Sequence, residues 1–444
     1  MIATQLSAAT PASAVPSANP GDRAISRSAV MEDSPAITVD PTRANAFAIA
    51  FVRGDSCFVR TSTTSGSSWT APVQLRPSEE NGSCAAADIA YAPDGNRIYA
   101  AYAEWGPQSS YPQTNRILVS VSTNGGATWD TPRILLEGSS DPDGNAYLEP
   151  QIATPPIASE AQWAYVTVVL HSRSGAATVL LRSPDYGETW TETAWATIRS
   201  TGWGETLPPL QATRHTLATG PAGQVLLVSA CGGCEDIAYP DGMTRDQGIR
   251  LWQSSNHGAS LASSTPVYAR RGALAYNFPA NVAWGWGQTA FGPAVEFGTE
   301  AVAHIVYPAN GHLHYIWAKP PYTSWSAPEQ VDDSPIGTKQ APALQVKACG
   351  NTTYLHALWY DTRNDATGQK FDVFYAQRAA ADGGTWSNNV RASNAISYPD
   401  LPWSATGLAV NGGTVFGVWP DRRDNGGYDM DIYGSPIWSG LACP

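Results

Sequence analysis

The sequence predicts an all-β chain folded as a seven-bladed β-propeller of four-stranded antiparallel blades. Three observations carry that expectation. A short pattern built on Ser, Asp or Asn, Gly and Trp returns about every sixty residues. Runs with strand character flank its copies. Seven first strands can be counted, the last unit lacks a fourth strand, and a matching strand stands at the opposite end of the chain.

The cleanest copy is Ser183 to Trp190, and Ser122 to Trp129 follows it closely. Ser62 to Trp69 keeps Ser, Gly and Trp; Ser254 to Leu261, Ala318 to Trp325 and Ala379 to Trp386 are worn copies. Their last residues, 69, 129, 190, 261, 325 and 386, are spaced by 60, 61, 71, 64 and 61. A period of that size marks a repeated supersecondary unit. Asp, Asn and Ser side chains hydrogen-bond nearby backbone amides in tight turns. Gly supplies a positive φ, and Trp folds its large apolar ring under the turn. With Arg116 to Val121 before one copy and Pro132 to Leu136 after it, the unit is a β-hairpin pinned by its turn. This is the Asp-box, and over nearly its whole length the chain resembles the sialidase-like (Asp-box, or BNR-repeat) β-propeller superfamily. The resemblance implies a ring of blades and a carbohydrate-active role.

First strands begin near Pro35, Ala87, Pro150, His215, Pro293, Pro342 and Ala405. The seventh unit stops after its third strand, Asp431 to Pro436. The segment Asp22 to Arg27 resembles the fourth strand Asn389 to Ser393 and is expected to complete the last blade, closing the ring and removing a raw sheet edge. The alternative is a six-bladed ring with an extra sheet. Residues 1–21, rich in Ala, Ser, Thr and Pro, read as a flexible N-terminal tail without the charged start and apolar core of a secretory signal. Residues 22–444 read as a single propeller domain.

The net charge is −12, and only four lysines occur. No basic stripe serves a nucleic-acid partner, and no apolar run is long enough for membrane insertion. A monomer is expected. Six cysteines point to an oxidising compartment, hence a secreted, extracellular or periplasmic protein.

In a propeller the loops joining fourth to first strands and second to third strands share one face, here called the top. Cys57 and Cys84 both fall there, in adjacent blades; Cys349 and Cys443 both fall at the bottom; Cys231 and Cys234 share one loop. Three local disulfides follow. For Cys231 and Cys234, a redox pair or half a metal site are the competing readings, and neither a second CxxC nor a βαβ context supports them.

The Asp-box carboxylates are read as structural, and the substrate is expected at the top, around the central funnel. Candidate catalytic residues are Asp33, Glu149, His215 and Tyr276. Candidate substrate-binding residues are Arg53, Arg173, Arg214, Arg363, Trp203, Trp286 and Gln340, since aromatic rings stack on sugar faces and guanidiniums hold carboxylates. The last two blades share a Trp-x-Asp-x-Arg pattern, at Trp359 to Arg363 and Trp419 to Arg423. There an Asp–Arg pair holding the loop competes with a ligand role for Arg363 or Arg422.

Members of the family bind the sugar carboxylate with three arginines, the first in an Arg-Ile-Pro motif; this chain has Ser34-Pro35-Ala36-Ile37 at that place. Three functions stay open. The first is a glycoside hydrolase with Asp33 and Glu149 as acid/base candidates. The second is a polysaccharide lyase on uronate glycans, with Arg214 neutralising the carboxylate and His215 or a Tyr taking the proton. The third is a glycan-binding lectin without turnover. No cofactor is required by any of them; a structural Ca²⁺ in the oxygen-rich stretch Asp421 to Asp431 is a further candidate.

Overall fold

A computed structural model of the chain describes residues 17–18, 21–107, 113–139, 146–172, 175–198, 215–232, 247–263, 268–269, 294–298, 301–309, 311–349, 352–380, 384–398, 406–411, 414–424 and 429–438. It shows seven antiparallel sheets of four principal strands each, arranged as a propeller. Their innermost strands are Glu32–Val39, Ser83–Tyr91, Ala146–Ala153, His215–Thr219, Ala294–Phe297, Lys339–Cys349 and Gly407–Asn411. A 3₁₀ turn stands at Ala158–Glu160. Among the described residues no helix is long and apolar enough to cross a membrane.

The second and third strands explain the sheet content. Phe47–Arg53, Ile98–Trp105 and Ala164–Ser172 are near-continuous apolar runs, as strands covered on both faces must be. Each sheet is sandwiched by its neighbours, so one apolar layer, such as that of Ala101, Val119, Val166 and Val179, spans two blades. Polar side chains on the inner strands tie successive blades. Ile152 N donates to Asp88 Oδ2 at 2.8 Å, and Leu217 N donates to Gln151 Oε1 at 3.0 Å. Across the closing seam, Asn411 Nδ2 donates to Arg43 O at 2.7 Å.

The N-terminus completes the seventh blade. Arg23–Ser26 pairs antiparallel with Asp431–Trp438 (Arg23 opposite Gly434, Ala24 opposite Tyr433). Ser17 and Ala18, inside the segment read as a tail, pair further along the same edge with Trp438 and Ile437. The Cys57–Cys84 disulfide joins blades 1 and 2, with Cα atoms 5.6 Å apart. Cys349 is also disulfide-bonded. Cys234 and Cys443 lie outside the described residues.

The recurring turns join third to fourth strands. In the clearest, Ser183 Oγ donates to Asp185 Oδ1 (2.9 Å) and accepts from Gly187 N (2.8 Å). Asp185 accepts from Thr189 N (2.9 Å) and Thr189 Oγ1 (2.6 Å). Asn124 and Asn256 accept equivalent bonds from Thr128 N and Ser260 N. The glycine presses the turn onto the preceding blade. At Gly66, with φ +75°, a Cβ would lie 2.2 Å from the Phe416 ring, against which Trp69 also packs, edge-on, at 5.7 Å. The turn is therefore a weld between blades as well as a hairpin closure.

Candidate functional site

The top of the inner ring is irregular where the bottom turns are regular. In blades 1, 3 and 6 the inner strand breaks register between Asp33 and Ala36, between Leu148 and Gln151, and between Gln340 and Ala343. At each break a residue other than glycine adopts a left-handed backbone: Ser34 (φ 50°), Glu149 (φ 52°) and Ala341 (φ 48°). A proline follows each, Pro35, Pro150 and Pro342. Proline has no N–H, so no ladder donor is stranded at the bulge. The left-handed conformation costs about 1–2 kcal/mol per residue. Bulges of this kind re-aim side chains beside active sites, and such strain collects where a site needs it.

Four of the residues expected at the site stand on these inner strands: Asp33 in blade 1, Glu149 in blade 3, His215 in blade 4 and Gln340 in blade 6. Asp33 and Glu149 are half-buried, Gln340 is buried, and His215 is fully enclosed. Arg173, Trp203, Arg214, Tyr276 and Trp286 lie outside the described residues.

Arg53 and Arg363 are engaged in two separate clamps. Arg53 Nε donates to the buried Glu32 at 2.6 Å and its Nη2 to Ser26 Oγ at 2.6 Å, with the guanidinium 4.9 Å from the Phe58 ring centroid. Arg363 donates to Asp361 (Nε 2.9 Å), Asp333 (Nη1 2.7 Å) and Asn389 (Nη2 2.8 Å), over the Phe374 ring at 4.1 Å. Burial opposes its charge, but the bonds to Asp361 and Asp333 outweigh burial and raise its pKa. In blade 7 the corresponding pair is Arg423 with Asp421, while Arg422 N donates to Ser397 Oγ. Asp33 and Glu149 thus stand half-buried on inner strands, and Arg53 and Arg363 are spent on holding loops.

Sequence reasoning missed Lys339, immediately before Gln340. Its ammonium is fully buried and donates to the carbonyls of Ser334 (2.9 Å), Ile336 (2.8 Å) and Gly337 (3.2 Å), with Asp332 at 3.4 Å. Asp332 also takes Leu313 N (2.6 Å) and faces His312 Nδ1 (3.0 Å). The loop so gathered raises Ile336, 63% exposed, on the top face. The one sequence signal was a lysine at the head of an inner strand in a chain with four lysines.

No protein-family profile matches the chain, and no curated protein does. Solved structures do. The α-L-arabinofuranosidase of glycoside hydrolase family 93 from Fusarium graminearum, in complex with arabinobiose, is 11% identical over 82% of this chain and 97% of its own, with a TM-score of 0.52. A polysaccharide lyase of family PL25, an ulvan lyase bound to -[GlcA(1-4)Rha3S]-, is 10% identical over 94% of this chain and 96% of its own, with a TM-score of 0.54. At such identities the likeness shows the fold. These neighbours are carbohydrate-active β-propeller enzymes, hydrolase and lyase alike.

Proposed function

We propose that the chain is a secreted carbohydrate-active enzyme of the sialidase-like clan, a glycoside hydrolase working at the top mouth of the funnel. The observation that carries this reading is Glu149, a carboxylate held in a left-handed bulge before Pro150 on an inner strand. Asp33 stands beside the equivalent bulge of blade 1. In this reading the two carboxylates share one site, as glycoside cleavage requires: one protonates the leaving oxygen, the other activates water or attacks the anomeric carbon. In this reading Gln340 orients sugar hydroxyls, and Arg173, Arg214, Tyr276, Trp203 and Trp286 supply charge and stacking surface. Arg53 and Arg363 act through the loops they hold. Likeness to enzymes that act on or bind oligosaccharides supports a glycan partner. The disulfides support an oxidising, extracellular setting.

A second reading rests on His215, enclosed at the head of its strand next to Arg214, and on likeness to the lyase over most of the chain. There Arg214 neutralises a uronate carboxylate. His215 takes the proton α to it, the electron pair forms the double bond as the glycosidic C–O bond breaks, and the leaving oxygen takes a proton from water.

Purified chain incubated with aryl glycosides and with uronate polymers separates the readings. Reducing sugar without the ultraviolet absorbance of an unsaturated product supports the hydrolase, and that absorbance supports the lyase. Retention on a glycan array with neither product supports a lectin. In the hydrolase reading, Glu149→Gln and Asp33→Asn each lower kcat by about 10²–10⁴-fold with an unchanged melting temperature. Full activity in both variants rejects the placement.

A further inference from the structure

Blades 6 and 7 repeat one top-face arrangement, and blade 6 serves as the control for blade 7. Trp359 Nε1 and the Arg363 guanidinium donate to Asp361 Oδ2, as Trp419 Nε1 and the Arg423 guanidinium donate to Asp421 Oδ2. Asp361 lies opposite Asp372 and Asp421 opposite Asp431; Arg391 lies opposite Phe374 and Ala24 opposite Tyr433. Thus Asp372, Asn364 and Arg391 of blade 6 correspond to Asp431, Asp424 and Ala24 of blade 7.

In blade 6 the buried Asp372 is fully satisfied. Its Oδ2 accepts from Asn364 Nδ2 at 2.6 Å. Its Oδ1 accepts from Arg391 Nε (2.9 Å), Arg391 Nη2 (2.6 Å) and Ser393 Oγ (3.1 Å). In blade 7 the amide donor has become a carboxylate and the guanidinium a methyl group. Asp431, equally buried, accepts from Ser28 N at 3.1 Å through Oδ1, while its Oδ2 has no hydrogen-bond partner and meets Arg27 Nε only at 3.9 Å. Glu32, also fully buried, spends Oε1 on Arg53 and Ser26 and leaves Oε2 without a partner. Glu32 N donates to Met430 O at 2.8 Å, which sets this second orphan beside Asp431.

The charge count points the same way. Asp22, Glu32, Asp421, Asp424 and Asp431 face Arg27, Arg53 and Arg423, and Arg60 also acts on Glu32, five carboxylates against four guanidiniums, a deficit of one positive charge. Buried acceptors without partners are costly. Carboxylate oxygens with backbone and water oxygens are the ligands of a hard divalent cation. We infer that this seam binds one divalent cation of the Ca²⁺ class, held by Asp431 and Asp424 with Glu32 beside them. Among the described residues no three acidic, His or Cys side chains are already grouped as ligands. Binding therefore turns Asp424 away from Arg27 and Tyr433, and Arg27, whose side chain is 59% exposed, swings aside. The ion then ties together the segments that close the ring: the N-terminal strand, the first inner strand and the last top loop.

The test uses the full chain, stripped with a chelator and titrated with CaCl₂, followed by calorimetry and thermal melting, with NaCl at matched ionic strength as control. Expected is one ion per chain, with a Kd of about 10⁻⁴–10⁻³ M as in extracellular modules, and a melting temperature that climbs with Ca²⁺. Asp424→Asn copies Asn364 of blade 6, so it folds without added ion, melts no lower than the stripped wild type and loses the Ca²⁺ response. Asp431→Asn loses that response too. Absence of both heat and shift in the wild type overturns the inference. So does a shift that NaCl reproduces, or an undiminished response in both variants.

Discussion

The two faces of the ring obey different rules. At the bottom, the same Ser, Asp or Asn, and Gly close the turns of blades 2, 3 and 4, and the carboxylate of Asp185 is satisfied within its own turn. At the top, bulges occur in some blades and not others, and the residues beside them differ: Asp33, Glu149, Gln340. Repetition reports what every blade needs in order to stand against its neighbour. Departure from repetition reports what only one place in the ring needs. Asp185 is the more ideal-looking carboxylate, and its neatness is the sign that it works on the fold.

Four variants test that contrast, from the largest expected effect to the smallest. Gly66→Ala places a Cβ against Phe416 at a positive φ, so it should cost about 3 kcal/mol of stability while folded protein keeps its turnover; an unchanged denaturation midpoint would break the weld. Asp185→Ala removes three hydrogen bonds and should cost about 1.5 kcal/mol, again without touching rate. A rate loss that exceeds the loss of folded protein would move chemistry to the bottom face.

The layer between the faces supplies a pH probe. Burial pushes His304 and His356 down to about 3, with Tyr315 and Tyr375 hydroxyls at their Nδ1 atoms. Unfolding lets both rings take up protons at an ordinary pKa near 6.5. Their contribution is therefore complete above about pH 6.5 and drains away as pH falls toward 3, by about 1.4 kcal/mol per pH unit for each ring. Urea midpoints measured across that window should show the slope, and His356→Gln should reduce it by about half. The smallest effect belongs to the mouth: Ser34→Gly relieves a left-handed serine and should stabilise by about 0.5 kcal/mol. A lower melting temperature would mean that the Ser34 side chain supports its own bulge.

The ring was legible because a sixty-residue period needs no tertiary information, and because Asp22 to Arg27 matches a fourth strand seen elsewhere in the chain. Cys57 and Cys84 could be paired once loops were assigned to a face. The prolines at 35, 150 and 342 marked strand starts, but nothing local announces that Ser34, Glu149 and Ala341 precede them with positive φ. The arginines were harder. Residue type offers Arg53 and Arg363 as anion binders, yet their partners, Glu32 for one and Asp333 and Asn389 for the other, are 21, 30 and 26 positions away, and only the folded sheets bring them together. In the final blade the pair is made by Arg423, where the neighbouring Arg422 had competed for a role. Arg173, Arg214, Trp203, Trp286 and Tyr276 stay proposals of the sequence.

Lys339 has a consequence for chemical access. A positive centre fixed by a covalent stem cannot be exchanged, chelated or washed out, so the 334–337 segment keeps its shape whatever ions the medium carries. The same enclosure shields its amine from acylating reagents. On the intact protein such reagents should modify Lys319, Lys347 and Lys370 and spare this one, making mass-resolved lysine labelling a direct report on whether that part of the rim is assembled.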